Sequence, residues 1–206
     1  MIVDFHNHYY PPGFVDAARR GKSAFRVTED GDGNPVLHSP GDYNVLVPGH
    51  RDLDARAADL DAVGVDAQVI TMTAPGTSIE TPERAAELAR TINDGLAAAR
   101  ESHPDRYVPL GHLPLVNPEA AADEFGRVIG ELGMPGAMLF SNAAGVPIAD
   151  ERFWPIYEQA DDAGAVLYIH PTYPLGVQAM EDYMLMPLVG FLMDTTLAAA
   201  HLVFAG

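Results

Sequence analysis

The chain has 206 residues, 48% of them hydrophobic, which is enough apolar material for one large globular domain with a buried core. It carries 12 Lys and Arg against 29 Asp and Glu, and the formal net charge of −17 argues against nucleic acid and anionic membranes as partners. Cysteine is absent, which excludes disulfides and limits any metal site to His, Asp and Glu ligands. We therefore expect a soluble, cytoplasmic protein.

Five short apolar runs predict β-strands at intervals along the chain. They are rich in Val, Ile, Leu and Tyr and do not alternate fully with polar residues, as is typical of strands covered on both faces. The predicted strands are Ile2–Asn7, Ala67–Thr73, Tyr107–Gly111, Ala137–Phe140 and Val166–His170.

Helical segments separate these runs and carry recognisable start and stop residues. Asp, Thr-Pro and Asn-Pro are favoured at helix starts, and glycine is favoured just after helix ends. The predicted helices are Asp52–Val63 before Gly64, Pro82–Ser102 after Thr81, a helix from Pro118 that ends before Gly133, and Glu151–Ala163 between Asp150 and Gly164. Regular alternation of strand and helix predicts right-handed βαβ units and a parallel sheet, an α/β fold.

The most apolar stretch of the chain is Met184–Ala205. It contains Pro187, Asp194 and His201, which a bilayer span tolerates poorly. We therefore predict a buried helix there, at about Thr195–Phe204, and no membrane partner.

Residues 9–50 form a long excursion between the first strand and the first helix. Two short runs, Phe25–Thr28 and Val36–His38, flank the turn sequence Asp30-Gly-Asp-Gly-Asn34 and predict a β-hairpin. A loop of this length after a parallel strand is more often a lid or a site wall than a surface decoration. We therefore predict a lid.

The candidate metal ligands lie at the ends of predicted strands. His6 and His8 close the first strand and, because side chains alternate along a strand, both face the same way, about 6.6 Å apart. His170 ends the fifth strand, and the carboxyl ends of parallel strands meet at one edge. An isolated His-x-His pair is explained equally well by one packed histidine and one loop histidine. The third histidine favours a shared divalent ion, with nitrogen–metal distances of about 2.0–2.1 Å.

Weaker candidates surround this edge. His112 follows the third strand and either lines the mouth of the site or packs beneath Leu113–Leu115. Asp4 either supports a ligand imidazole or is a polar residue satisfied by its neighbours. Arg51 could bind a substrate carboxylate, although a solvated surface arginine is the commoner outcome, and Asn142 could hydrogen-bond substrate.

Several segments together resemble a known family. They are Val3–His8 (VDFHNH), Leu60–Asp66 (LDAVGVD), His103–Tyr107 (HPDRY) with Leu113–Leu115 (LPL), and Phe153–Tyr157 (FWPIY) before Ile169–Pro171 (IHP). In order and spacing they are similar to the decarboxylases of the amidohydrolase-related (amidohydrolase 2) family, and the likeness covers nearly the whole chain.

The resemblance implies a TIM (β/α)8 barrel of the metal-dependent hydrolase type, in which His6, His8 and His170 ligate one divalent ion. Zinc is the expected ion and manganese the alternative. The family pattern also has a histidine ending strand six and an aspartate ending strand eight, and His201 is no substitute because it precedes any sixth strand. Since such a barrel needs about 250 residues, we expect residues 1–206 to be one partial domain of five N-terminal βα units with a lid at 9–50. The remaining catalytic residues would then lie beyond Gly206.

The resemblance further implies a metal-dependent decarboxylase that acts on a small unsaturated or aromatic carboxylic acid. A hydrolase or hydratase that uses metal-bound water is the first alternative, because the three histidines would look the same in both enzymes. A barrel fragment that binds metal or a partner without turnover is the second. We also expect a homodimer or another homo-oligomer.

Overall fold

Strands alternate with helices along the chain in this computed structural model, which describes residues 1–40, 42–180 and 182–205. The strands are β1 (Val3–His8), β2 (Arg26–Glu29), β3 (Pro35–Ser39), β4 (Asp42–Val45), β5 (Ala67–Thr71), β6 (Tyr107–Pro109), β7 (Gly111–His112), β8 (Gly136–Phe140), β9 (Asn142–Ala143), β10 (Val146–Pro147) and β11 (Val166–His170). The helices are α1 (Pro12–Arg19), α2 (Pro48–Arg51), α3 (Leu53–Val63), α4 (Pro82–Ser102), α5 (Pro118–Gly130), α6 (Trp154–Ala163) and α7 (Phe191–Ala205). Short helical turns cover Glu151–Phe153, Val177–Met180 and Met186–Gly190.

Five parallel strand positions form the layer that carries the site. β1, β5 and β6 pair in that order, and β7, β8 and β11 pair in that order. Leu110 alone separates β6 from β7, and its amide donates to the Ile70 carbonyl at 3.1 Å, so the predicted third strand is one path with a break. Neighbours in space follow the order of the chain, as successive βαβ units require. The predicted α/β class is confirmed.

The helix boundaries follow the capping residues read from the sequence. The Asp52 carboxylate accepts from the amides of Asp54 and Ala55, each at 3.0 Å, and α3 ends at Gly64, whose φ is 73°. The Thr81 hydroxyl accepts an amide in the first turn of α4 at 3.4 Å. Each of these caps satisfies a backbone group that has no partner within its own helix. The predicted starts of α3 and α4 are confirmed.

Residues 9–50, named the lid segment after the prediction, contain more than the predicted hairpin. β2, β3 and β4 form a three-stranded antiparallel sheet, with α1 before it and α2 after it. The prediction lacks β4 because Asp and Asn, which supply half of its residues, are depleted in strands. Phe14, Leu37 and Leu46 of the lid segment are buried in the same cluster as Ile92 of α4. The lid segment is therefore docked on the helical layer by a shared core.

Helix α7 is mostly exposed, so the prediction of a buried helix is wrong for the described residues. Asp194 and Ala198 are its buried residues, whereas Leu192 is 70% and Phe204 is 88% exposed. Residues 186–205 have a mean hydropathy of 1.7 and are long and apolar enough to cross a membrane, with 17% of that window buried. Asp194 of α7 accepts hydrogen bonds from Ser141 and Asn142, which follow β8, so one narrow face of the helix is docked there.

Gly136 begins β8 opposite Val166, the first residue of β11. A Cβ atom at Gly136 would lie 1.8 Å from the Val166 carbonyl oxygen, and these two residues form the first pair of the ladder. The substitution Gly136→Ala forces this pair apart, and we expect it to lower the free energy of unfolding by about 3 kcal/mol, at the upper end of overpacking costs. Urea denaturation measures the change.

Gly130→Ala is the matched control for this substitution. A Cβ atom at Gly130 meets nothing within 4 Å, and alanine is favoured over glycine in a helix. Its unfolding midpoint should equal or exceed that of the parent chain. Equal midpoints for Gly136→Ala and Gly130→Ala would contradict the close approach of β8 to β11.

Candidate metal centre

His6, His8 and His170 meet at the carboxyl edge of the parallel sheet. β1 carries the first two, and β11 ends at the third. The Nε2 atom of His170 lies 3.2 Å from Nε2 of His6 and 3.2 Å from Nε2 of His8. One ligand atom from each of the three residues lies within 4.8 Å of the others. The structure thus brings together the three histidines singled out in the sequence, called the histidine trio below.

A bulge in β1 orients the two histidines of that strand. Between Asp4 and Asn7 the pairing advances three residues on β1 but two on β5, so β1 carries an extra residue there. Strict alternation, which predicts that Asp4 shares the face of His6 and His8, is broken at this point. The Asp4 carboxylate accepts from the Gln68 side-chain amide at 2.9 Å and from the backbone amide of His6 at 3.0 Å. Asp4 therefore supports the strand, and not an imidazole ring.

Hydrogen bonds on the far side of two rings determine which nitrogen carries the proton. His170 Nδ1 lies 2.7 Å from the Pro171 carbonyl oxygen, which can only accept, so Nδ1 is protonated. The Thr71 hydroxyl donates to the Asn7 carbonyl at 3.1 Å and therefore accepts from His8 Nδ1, also at 3.1 Å. Both rings thus present an unprotonated Nε2 to the shared point.

Burial keeps these two rings neutral. Desolvation, followed by the nearby His170 and His6, lowers the pKa of His8 from 6.5 to about 3. Desolvation lowers the pKa of His170 to about 4, against the opposing effect of its hydrogen bond to the Pro171 carbonyl. Neutral imidazole is the form that ligates metal, so both rings are competent ligands near pH 7.

The spacing of the trio fits a divalent ion. Two nitrogens bound tetrahedrally at about 2.0–2.1 Å from one ion lie roughly 3.3–3.4 Å apart, which is close to the 3.2 Å between the Nε2 atoms here. The contact between His8 and His170 joins two lone pairs, so it is not a hydrogen bond, and a cation between the rings would be attracted by both. Three imidazole ligands match an open catalytic site rather than a closed four-ligand structural site.

A buried arginine supports β1 beside the trio. Arg56 of α3 donates to the side-chain oxygens of Asn7 and Gln68, each at 2.8 Å, and to the His8 carbonyl. It is 5% exposed, and its guanidinium lies 6.0 Å from the centroid of the Tyr9 ring. These contacts tie the Asn7 side chain and the His8 carbonyl to α3 and therefore restrain the end of β1 that carries His8.

His112 does not line the mouth of the site. It is 1% exposed, and its Nε2 accepts from the Thr77 amide at 3.2 Å, beneath the loop that follows β5. A Cβ atom on Gly76 would lie 2.4 Å from the ring. Of the two interpretations from the sequence, the structure agrees with a packed His112, and Gly76 and Thr77 are among the residues that cover its ring. Desolvation lowers the pKa of His112 to about 4.

Arg51, a candidate substrate-binding residue, and His201, which the sequence excluded as a ligand, both lie apart from the trio. The Arg51 Nε donates to the Leu46 carbonyl at 3.1 Å, and Arg51 lines a surface cleft of about 140 Å³ beside Pro12 and Asp16. Its hydrogen bonds, as far as the described residues show, do not reach the trio. His201 is exposed on α7. The structure places neither residue at the candidate metal centre.

The loop after β8 is buried rather than open to a ligand. Asn142 is 4% exposed, and its Nδ2 donates to the Tyr173 carbonyl at 3.0 Å and to the Asp194 carboxylate at 2.9 Å. The Ser141 hydroxyl also donates to Asp194. Asn142 borders a cleft of about 270 Å³ that Thr172 and Tyr173 line as well. Its amide group is thus occupied by protein contacts beside a cavity.

Arg56 and Asp194 were not predicted as site residues from the sequence. Charged residues on helices usually belong to a solvated face, and Arg56 lies in the acidic run DLDARAADLDAV, which looks solvated. A signal for Asp194 was available, because it is the one Asp, Glu, Lys or Arg in the apolar residues 191–205. A charge at such a position indicates a buried polar partner.

The α/β fold with a histidine trio at the carboxyl strand edge agrees with comparisons to known proteins. The family model described as Amidohydrolase (Amidohydro_2) matches residues 3–206. The chain therefore belongs to this amidohydrolase family, and the resemblance read from the sequence is confirmed.

Two relatives show which activities occur in this part of the family. The 2-amino-3-carboxymuconate-6-semialdehyde decarboxylase of Dictyostelium discoideum is 35% identical over 156 residues, which cover 75% of this chain and 44% of the relative. The gamma-resorcylate decarboxylase of Rhodococcus jostii (strain RHA1) is 31% identical over 167 residues, which cover 74% of this chain and 51% of the relative. The chain thus spans about half the length of these relatives.

Solved structures place the fold in the same group. The 5-carboxyvanillate decarboxylase LigW from Sphingomonas paucimobilis superimposes with a TM-score of 0.77 at 26% identity, covering 98% of this chain and 62% of that one. A dihydroxybenzoic acid decarboxylase from Polaromonas sp. JS666, solved with manganese and the inhibitor 2-nitroresorcinol, gives 0.75 at 24% identity, with coverages of 98% and 60%. At that identity the second structure shows the fold alone.

We expect the chain to bind one divalent ion. Each of three single substitutions should lower the amount of retained metal at least tenfold: His6→Ala, His8→Ala and His170→Ala. The reason is that each substitution removes one of three ligands from an open site. Metal retained after dialysis is measured by plasma mass spectrometry. His103→Ala is the control, because His103 lies at the end of α4 beside Asp54 and should retain the metal of the parent. Full metal retention in the triple variant would contradict the site.

His112 makes the stability of the chain depend on pH. Unfolded, it takes up a proton near pH 6.5; folded, it does so only near pH 4. Its contribution is full above pH 6.5 and is lost as the pH falls towards about 4, because only the unfolded chain binds the proton in that window. As the pH is lowered, the free energy of unfolding should fall less steeply in His112→Gln than in the parent chain. We expect the two slopes to differ by up to about 1.4 kcal/mol per pH unit.

Urea denaturation of both proteins between pH 7 and pH 5 measures this difference. The comparison is between slopes, so a constant destabilisation of the variant does not affect it. Equal slopes for parent and variant would show that His112 titrates alike in both states.

Proposed function

We propose that this chain is the metal-binding part of a decarboxylase that releases CO2 from a small aromatic or unsaturated carboxylic acid. The observation that carries the proposal is the convergence of His6, His8 and His170, with Nε2 contacts of 3.2 Å. Membership of the family and the decarboxylase activities of its relatives support the reaction. A chain with a net charge of −17 also needs a local cation to hold an anionic substrate, which a bound divalent ion would provide.

We propose further that residues 1–206 form one partial domain, the first five βα units of a (β/α)8 barrel with the lid segment inserted after β1. The parallel strand order from β1 to β11 supports this arrangement. So does the surface left uncovered on α7, where Leu192 and Phe204 are exposed. Further units of a barrel would pair with the edge of β11 that faces away from β8 and cover this apolar face.

One divalent ion per chain is the cofactor in this proposal. Imidazole donors suit zinc, and manganese, which is present in the Polaromonas decarboxylase of the same fold, is the alternative. Bound at the trio, the ion would act as a Lewis acid towards the carboxylate or a neighbouring hydroxyl of the substrate and hold the acid in one orientation.

The residues of the chain would orient the substrate and exclude water. The cleft of about 270 Å³ lies against Thr172 and Tyr173, which follow His170, and is large enough for a single aromatic ring. The Tyr173 hydroxyl lies 3.2 Å from the Ser39 hydroxyl of β3, which joins the lid segment to the loop after β11. Loss of CO2 leaves carbanion charge on the substrate, and a docked lid shields that charge from bulk water.

We also propose a soluble, cytoplasmic, homo-oligomeric protein with no nucleic acid or membrane partner. Asp194 is buried against a polar loop, which favours packing of α7 on protein over packing in lipid. The exposed Val203 and Phe204 favour contact with further protein. The high negative charge disfavours nucleic acid and anionic membrane surfaces.

The reaction is tested by loading the full-length protein that contains this chain with zinc or manganese and supplying small acids. We expect CO2 release from 2,6-dihydroxybenzoate, 5-carboxyvanillate or an aminocarboxymuconate semialdehyde. The reaction is measured by capturing the CO2 and by recording the absorbance of the product. The chain of 206 residues is assayed beside it and should bind metal without turnover, because it holds three of the expected ligands.

Simple amides and lactones serve as the matched substrates for a metal hydrolase. Their turnover with no CO2 from any acid would replace the decarboxylase by the hydrolase alternative. The full-length protein with the triple substitution His6→Ala, His8→Ala and His170→Ala should be inactive on every substrate. The full-length protein with His103→Ala should keep the parent activity.

A further inference from the structure

A carboxylate is buried on the apolar helix α7, next to the loops that lead to the trio. Asp194 is 5% exposed, and the partners that the structure shows for it are neutral: the Ser141 hydroxyl, and the Asn142 amide at 2.9 Å. Both donate to the same oxygen, Oδ2, which therefore accepts two hydrogen bonds. Burying a carboxylate costs free energy unless donors compensate it. Apolar packing alone does not account for an aspartate at this position.

A continuous set of hydrogen bonds joins Asp194 to a ring of the trio. The Ser141 hydroxyl donates to Asp194 and accepts from the Thr172 amide at 3.1 Å. That amide belongs to the peptide unit whose other end is the Pro171 carbonyl. The same carbonyl accepts the proton of His170 Nδ1 at 2.7 Å. The order is therefore carboxylate, hydroxyl, peptide unit and imidazole, with each donor pointing towards Asp194.

Backbone contacts tie the same loops together a second time. The Ser141 amide donates to the His170 carbonyl at 2.8 Å, so Ser141 holds the chain on both sides of Pro171. Asn142 Nδ2 donates to the Tyr173 carbonyl at 3.0 Å as well as to Asp194. The direction of β11 at its end is thus set by two residues that share one carboxylate.

We propose that Asp194 is a positioning residue for His170, acting through Ser141 and the Pro171–Thr172 peptide unit. It orients that peptide unit, which holds the Nδ1 proton and leaves the Nε2 lone pair directed at the shared point. A carboxylate that acts on the far nitrogen of a ligand imidazole fixes its orientation and raises its basicity. Here a hydroxyl and a peptide unit lie between the two groups. This inference rests on the proposed metal site.

Metal affinity is the first test, measured on the chain by competition with a chromophoric chelator using zinc alone. We expect Asp194→Ala and Ser141→Ala to raise the dissociation constant roughly tenfold to a hundredfold, the range for partners of ligand imidazoles. Asp194→Asn keeps an acceptor oxygen and should therefore retain most of the zinc affinity of the parent chain. Thr196→Ala is the control, because the Thr196 hydroxyl donates to the Leu192 carbonyl of the same helix, at 2.7 Å, and not to the Ser141 loop.

Hydrogen exchange of the Thr172 amide is the second test, and it needs no metal. We expect faster exchange at Thr172 in Asp194→Ala and Ser141→Ala, and parent-like exchange in Thr196→Ala. Unchanged zinc affinity together with unchanged exchange at Thr172 would overturn the proposal. Should Asp194→Ala fail to fold, the contrast between Ser141→Ala and Asp194→Asn decides whether Asp194 positions His170. A parent chain that binds no zinc would refute the metal site, and the exchange at Thr172 would then decide the positioning role alone.

Discussion

The candidate centre depends on where two imidazoles hold their protons. The Pro171 carbonyl and the Thr71 hydroxyl accept the Nδ1 protons of His170 and His8, so the Nε2 lone pairs face each other across 3.2 Å. Two lone pairs at this distance repel in a buried site, and a cation between them converts the repulsion into attraction. The groups that hold the two acceptors in place therefore determine whether the strand ends form a metal site.

The side chains that support the ends of β1 and β11 come from two helices on opposite flanks of the sheet. On the β1 side, Arg56 of α3 donates to the His8 carbonyl and to the Asn7 side chain. On the β11 side, Asp194 of α7 accepts from Ser141, which in turn accepts from the Thr172 amide. Each flank buries one charged side chain whose removal would leave polar partners unsatisfied. We infer that these two helices carry charge inward because the strand ends need rigid support, which apolar side chains would not provide.

Local features of the sequence predicted much of the fold. Asp52, Thr81 and Gly64 mark helix ends because capping depends on the residue and its nearest amides. His170 was placed at a strand end because the run VLYIH is apolar up to that residue. The histidine trio follows from strand ends meeting at one edge, which needs no tertiary detail.

What the sequence did not predict depends on contacts between distant segments. The bulge that turns Asp4 away from the rings arises from pairing with β5. The burial of Asp194 depends on a loop more than fifty residues earlier in the chain, at Ser141. The sequence left open whether His112 is buried, because one group that contacts its ring, Thr77, comes from a different βα unit. No periodicity or spacing within one segment carries such information.

The coordination of the bound ion is the most direct test of this account. X-ray absorption at the zinc edge of the metal-loaded chain should show three imidazole nitrogens at about 2.0–2.1 Å, with the remaining positions filled by oxygen. The same spectrum of His170→Ala should lose one imidazole, whereas that of His103→Ala should be unchanged. A first shell of oxygen alone, or a spectrum unaltered by His170→Ala, would show that the trio is not the metal centre.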